Sequence, residues 1–498
     1  MGEEGKKREL GMFYAIITGL GSTLGIEFFV LLDYATKLAG PAVVLSLIIS
    51  GLINLLIMFN YAELSSSISR IGAEYTFTKA AFGGFICFFS GYLRWLSSIF
   101  TTTLSAMGLA RIVCFFFPYI NPSLFAVVVI ALFTALSVKG GRIVDLATVI
   151  SFIIAFVVLS VAGCFRGLNL DNFQPFMPNG FYPGVLAGAM YTFSMFVGMR
   201  AIVTKSPIIK EPGKVIPRAV WFSTIICIAI YCSVAFIAVG TIPPTATSTE
   251  PLLVHVGYVI MGTAGQLLII VAWAAAAIMS LATSMSVQTS ILSALSRDGY
   301  LPRIIFSPGK GSVTNYIAQM VGSIIAMFFA ATGLITFVGY AAGFASLIVF
   351  ALVNLSLIKL RKTQPNLERP FKTPFYPYTP IFGIVFAFML MMFVESSAAV
   401  LVLEFILISL MIYHLKMMGY QRLRFAVGGI NIGISGFIIL ILFLSGAGVL
   451  QLTLYSKEHT ALLILGTIFA ATFFIAGLLN LTKSRKETAE TTGRLWME

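Results

Sequence analysis

The sequence predicts an all-α integral membrane protein, on three observations. Of its 498 residues, 58% are hydrophobic and only 10% charged, a balance that soluble domains do not need. The apolar residues fall in runs of about 20 or more, the length a helix needs to cross a bilayer. The basic residues gather in alternate connections between those runs, so the formal charge of +13 reads as membrane topology and not as a nucleic-acid footprint.

Taken in order, about 14 spans meet the length criterion: 11–32, 41–65, 83–110, 122–138, 143–165, 182–205, 218–240, 256–296, 314–333, 336–360, 378–396, 397–417, 424–447 and 460–482. The first follows Lys6, Lys7 and Arg8 as a secretory leader would. It is too long for one and lacks a small-residue cleavage site, so it is expected to be retained. With a cytoplasmic N-terminus, about 26 of the 32 Lys and Arg residues fall on the cytoplasmic side and about four (Lys37, Arg111, Arg166, Lys457) opposite. Both termini are therefore expected inside a multi-pass cell-membrane protein, with residues 1–10 as a cytoplasmic N-terminus and 484–498 as a polar C-terminal tail. The proline-rich PNLERPFKTPFYPYTP at 365–380 excludes a continuous helix and separates about ten spans from the last four.

Several chemistries are excluded. The five cysteines (Cys87, Cys114, Cys164, Cys227, Cys232) are scattered without metal-site spacing and read as packing residues. His255, His414 and His459 lie on different segments with no nucleophile beside them. Without a phosphate-binding G-x-x-x-x-G-K-S/T loop, ATP-driven pumping is not expected. Neither an enzyme, a metal site nor a cofactor is predicted.

The informative feature is an interruption. GLGSTLG at 19–25 places glycines and hydroxyls inside the first span, directly before Glu27. A Gly- and Ser-bearing stretch, AGAMYTFSMFVG at 187–198, answers it in the sixth. Five helices apart is the spacing of an inverted five-plus-five repeat, 11–165 and 182–361, with 377–483 adding helices 11–14. Transporters so built bind their cargo at the midplane where paired helices unwind. Glycine also packs spanning helices, which is the plainer alternative.

The residues carry a resemblance. GSTLGIEFFVLLDYATKLAGPAVVLS at 21–46, FNYAELSSSISRIGAEYTFTKAAFG at 59–83, EPGKVIPRAV at 211–220, ILSALSRDGYLP at 291–302 and RPFKTPFYPYTPIFGIV at 369–385 resemble, in order, the amino acid–polyamine–organocation (APC) transporter superfamily, close to its cationic amino acid transporter branch. The resemblance implies a leucine-transporter-like fold and alternating access, driven by an ion gradient or by exchange. It implies that Gly21, Ser22, Thr23 and Gly25 on one side, and Phe193, Ser194, Met195, Phe196 and Gly198 on the other, bind the substrate. Half-helix N-termini suit its carboxylate and freed carbonyls its ammonium. Phe193 or Phe196 is a candidate aromatic gate, or else an ordinary core ring.

The chain departs from that pattern around the site. Glu27 stands where the superfamily usually has glycine, Arg200 where it has an acid, Pro207 and Ile208 where it has a Glu-Glu pair, and Ser97 where the cationic branch often has glutamate. A carboxylate at membrane depth must be paired, neutral or hydrated. Glu27 is thus read as binding a substrate ammonium, carrying a coupling proton, ending a broken helix in water, or pairing with Arg200, which the reciprocal departures favour.

A proton-coupling basic residue is absent between Arg142 and Arg166, where only Asp145 is ionisable. A candidate sodium site is formed by Ser280, Thr283 and Ser284, with Gln288, on one helical face; the same hydroxyls suit helix packing. Coupling to H+ or Na+ stays open. Arg94 is expected to snorkel or to line the cavity. Glu63, Arg70 and Glu74 are expected at an inner gate, and Arg297 with Asp298 as a local ion pair closing it. Glu404 has no assigned part.

The expected function is secondary transport of an amino acid or related amine through the lipid bilayer. A transporter-like sensor that binds without turnover is the alternative. Substrate charge and oligomeric state are not fixed by these residues.

Overall fold

The first apolar stretch does not fold as one helix, because its glycines fall where the backbone must turn. The computed structural model describes residues 10–69, 72–136, 142–166, 168–243, 251–301, 313–417, 431–436, 438–439 and 464–479. In it α1 (Met12–Thr23) stops, Leu24 and Gly25 leave helical geometry, and α2 (Ile26–Ala39) begins. After the Gly40–Pro41 corner come α3 (Val43–Ser67), a short α4 (Ala73–Ala81), α5 (Gly84–Phe116), α6 (Pro122–Leu136) and α7 (Arg142–Arg166). The next span runs through α8 (Ala187–Phe193), a 3₁₀ turn at Ser194–Met199 and α9 (Arg200–Thr204). Then follow α10 (Pro212–Thr241), α11 (Leu252–Met261), α12 (Thr263–Arg297), α13 (Val313–Thr332), α14 (Ile335–Thr363), α15 (Tyr378–Met391) and α16 (Ser396–Met417).

Among the described residues, seven stretches are long and apolar enough to cross a membrane and five further apolar helices are shorter. No strand is present among them; a single parallel bridge joins Leu10 to Ile209. The predicted continuous span at 256–296 is broken at Gly262, whose φ of +65° admits glycine readily. The helix α4 was not foreseen: its nine residues, AEYTFTKAA, are too polar and too few to register as a span.

The chain divides into two compact units, residues 1–395 and 396–498. In the first, α5 packs against both α12 and α14, and α3 against α10. Its centre is aromatic. Phe28 stacks on Tyr231 at 4.2 Å, Phe29 stacks on Trp273 at 5.1 Å, and Phe152 and Phe156 close around them. In the second unit α16 is accompanied by residues 431–436 and 464–479, where Phe405 meets Phe469 edge-on and Ser435 donates to the carbonyl of Ala470. Arg70, Lys457, His459, the N-terminal residues 1–9, most of the span at 424–447, the ends of the span at 460–482 and the tail at 484–498 lie outside the described residues, as do the side chains of Asp145 and His414.

Two ionic latches hold the non-spanning pieces. Glu63 of α3, 1% exposed, takes a two-pronged bond from Arg361 (2.8 and 2.5 Å), lies 3.4 Å from Arg369 and accepts the N–H of Thr373. One carboxylate thereby fixes the proline-rich stretch onto the helical core. Asp298, beyond the end of α12, is held mainly by α4: Lys79 at 2.8 Å and the hydroxyl of Tyr75 at 2.5 Å. Arg297, the partner expected from sequence, is farther at 3.8 Å. Burial pushes the Asp298 carboxyl up, but the bonds from Lys79 and Tyr75 outweigh it and hold it below the ordinary aspartate range. A depressed carboxyl favours the latched form above its unlatched pKa, and the contact is lost as pH falls through the lowered value.

Glu63→Ala is expected to take the shared counter-ion from Arg361 and Arg369, the latter keeping its bonds to four main-chain carbonyls, at a cost of about 1–3 kcal/mol. Hydrogen exchange should show faster exchange at 365–377, and unchanged protection there would refute the latch.

Candidate functional site

The break in the first span creates groups that need partners. Leu24 N–H still bonds the Leu20 carbonyl at 2.6 Å and Gly25 N–H turns back to Thr23. The Thr23 carbonyl then accepts the Tyr231 hydroxyl of α10 at 2.5 Å. The same hydroxyl lies 3.5 Å from the Met195 carbonyl, inside the 3₁₀ turn of the sixth span. Next to it the Phe196 carbonyl accepts the Asn54 amide of α3 at 2.8 Å. Two side chains thus serve main-chain oxygens that the helices have released, as an apolar surrounding requires.

The two interruptions are not alike. The expectation that both helices unwind is met only in the first. The sixth tightens to 3₁₀ over six residues and stays helical from Ala187 to Thr204. Its SMFVGM carries one glycine against three in GLGSTLG, so its backbone has less reason to leave the helix. A 3₁₀ run of that length is itself unusual inside a helix and marks a hinge or a functional place. Gly198 explains the join: a Cβ there would collide with the Ser22 carbonyl and the Thr23 Cα, so the two interrupted segments touch backbone to backbone.

Beside this junction lies a cavity of about 300 Å³, at the small end of the range for ligand sites. Of the sequence-predicted residues, Ser22, Glu27, Ser194, Gly198 and Arg200 line it, together with Ser280, Thr283 and Ser284. Gly21, Thr23 and Gly25 are buried behind it as backbone. Phe193 packs edge-on against Phe350 and Phe196 against Tyr231, both fully buried. In this conformation neither ring stands over the cavity as a gate. Ser280 accepts from Ser105 and Ser284 shares a hydrogen with Thr102, each at 2.9 Å or less, so these hydroxyls tie α12 to α5.

The favoured pairing of Glu27 with Arg200 is corrected. The acid beside Arg200 is Glu74, from α4, at 3.8 Å, and the same oxygen stands 3.3 Å from Arg94 of α5. All three side chains are less than a tenth exposed. Arg200 further reaches Ser97 at 3.3 Å and Ser346 at 3.5 Å, and stands over the Phe350 ring. Glu27 makes no ion pair among the described residues and faces the cavity from the first turn of α2. Sequence reasoning had noticed Glu74 and Arg94 separately. Nothing in their spacing told that α4 folds Glu74 back against α5.

A helical membrane protein with a broken span, a solute-sized polar cavity beside it and fixed charges of both signs on its wall is built as a small-molecule permease. The chain belongs to the amino acid permease family, whose sequence model matches residues 10–414. It is 28% identical over 451 residues to the branched-chain amino acid permease BcaP of Bacillus subtilis, covering 85% of this chain and 96% of that one. It is 26% identical to the methylthioribose transporter of the same organism, over 77% of this chain and 88% of the relative. To the chloroplastic cationic amino acid transporter 9 of Arabidopsis thaliana it is 27% identical, over 60% and 56% of the two chains. The family and these relatives are transporters and not enzymes.

Tyr231→Phe keeps the ring stacked on Phe28 but removes the hydroxyl, leaving the Thr23 carbonyl with only the tight-turn bond from Gly25 N–H. A loss of about 1–3 kcal/mol in stability is expected, read as a lower unfolding temperature of the purified protein. No change would remove the tyrosine from this account. Gly198→Ala is expected to force the segments apart and abolish uptake while the protein still reaches the membrane; normal uptake would show that the backbones need not touch.

Proposed function

We propose that this protein carries amino acids, or closely related amines, across the cell membrane by alternating access. The observation that carries the reading is the cavity at the helix break, with Glu27 on one wall and Arg94 and Arg200 on another. Opposite charges on a small enclosed surface complement a solute that bears both an amine and an acid.

In this reading Ser22, Ser194 and Gly198 shape the floor, and Gly21, Thr23 and Gly25 supply the loosened backbone. Glu27 receives the amine. Phe193 and Phe196 act from behind the site by bracing it. The leucine-transporter-like arrangement of about 14 spans in inverted repeats, with both termini cytoplasmic, is the framework that would let the cavity face each side in turn. Coupling to H+ or Na+ belongs to the same proposal. For sodium, the hydroxyls of Ser280, Thr283 and Ser284 support a site on α12, in competition with their bonds to α5. The names of the relatives favour an amino acid or a small nutrient of similar size.

The test is uptake of labelled amino acids into proteoliposomes, with neutral, cationic and anionic competitors, under imposed sodium or proton gradients. Accumulation that a competitor blocks is expected; saturable binding without flux would instead mark a sensor. Glu27→Gln is expected to lower kcat/KM by about tenfold or more, the effect of losing a hydrogen bond to a charged group. Uptake unaffected by the change would remove Glu27 from the binding wall.

A further inference from the structure

A helix N-terminus exposed by a break would ordinarily offer its N–H groups to a carboxylate. In this protein that place is already filled from within. Glu27 lies in the first turn of α2, with its Oε2 only 2.5 Å from where a Cβ on Gly25 would stand. A second carboxylate arriving there would meet like charge.

The opposite wall is short of acceptors. Arg94 and Arg200 share the single acid Glu74, and the sharing is poor. Arg200 Nη1 and Arg94 Nε have no hydrogen-bond partner among the described residues, and neither has Glu74 Oε1. The two arginines are 4% and 7% exposed, yet both line the cavity. Arg200 Nη2 finds only the hydroxyls of Ser97 and Ser346, at 3.3 and 3.5 Å. Buried guanidinium N–H groups that face a cavity without an acceptor are costly unless a ligand supplies one.

We infer that the cargo's carboxylate is seated by the side chains of Arg200 and Arg94, whose unmatched N–H groups it would meet, and that the substrates are therefore carboxylate-bearing α-amino acids and not amines that lack the acid. This rests on the transport reading and narrows it. The ammonium faces Glu27, so the protein recognises both ends of the zwitterion by side chains. Glu74 competes with the cargo for the guanidiniums. Because it sits on α4, filling the cavity is felt directly by the helix that also holds Asp298.

The full-length protein in lipid nanodiscs is tested by thermal shift with the standard L-amino acids and with the α-amide of each, which keeps the amine and the side chain but loses the acid. Amino acids that stabilise the wild type are expected to lose the effect by about tenfold or more in concentration as their amides, the scale of a charge-assisted pair. Arg200→Gln should remove that discrimination and Arg200→Lys should keep part of it. Glu74→Gln, which frees both guanidiniums, should strengthen binding of the acids by roughly threefold or more; a merely structural Glu74 would weaken it. Equal shifts by acids and amides, or discrimination surviving Arg200→Gln, would overturn the inference even where uptake is seen. Discrimination intact without uptake would support it while overturning transport.

Discussion

Main-chain polarity in an apolar surrounding is the constraint on which this structure turns. A helix opened at membrane depth releases N–H and C=O groups that lipid cannot satisfy. Here side chains take up part of that demand: Tyr231 takes the Thr23 carbonyl, reaches that of Met195 and stacks on Phe28, while Asn54 takes Phe196. One tyrosine thereby serves both interrupted spans. The arrangement accounts for the asymmetry between them, since a 3₁₀ turn loosens fewer groups than a break does.

Charge follows the same logic. The cavity wall has acids on α2 and α4 and bases on α5 and α9, and the buried base pair draws its nearest counter-ion from α4, a helix that does not span. Ser97 and Ser346 bond each other at 2.8 Å and fill the space beside Arg200. Where the superfamily resemblance implies acid at positions 97 and 200, this chain has a hydroxyl and a guanidinium. The inversion extends over neighbouring helices, which is what a site remade for a different charge distribution would need.

Much of the fold was legible because apolar length and glycine placement act locally. The break at Leu24–Gly25 follows from three glycines within one turn and a half, and the spans follow from their hydropathy. The bend at Gly262 was hidden inside a run that stays apolar on both sides. Glu27 and Arg200 suggested each other because both are unusual on spans that the fold brings together. The partner Arg200 does have, Glu74, depended on where α4 packs, a tertiary outcome that spacing does not encode. The burial of Phe193 and Phe196 was equally out of reach, since helical spacing alone does not say whether a ring turns toward a cavity or into the packing behind it.

The short bridge between Leu10 and Ile209 has a mechanical meaning. Leu10 N–H bonds the Ile208 carbonyl at 3.0 Å and Lys210 N–H bonds the Leu10 carbonyl at 2.9 Å, while Lys205 reaches Thr18 at 3.2 Å. The beginning of the first span and the close of the sixth are thus sewn together by main chain on one side of the cavity. A displacement of either end is therefore passed to the other, and the loosened turns at Leu24–Gly25 and Ser194–Met199 are the nearest places in the two spans where the backbone could absorb it.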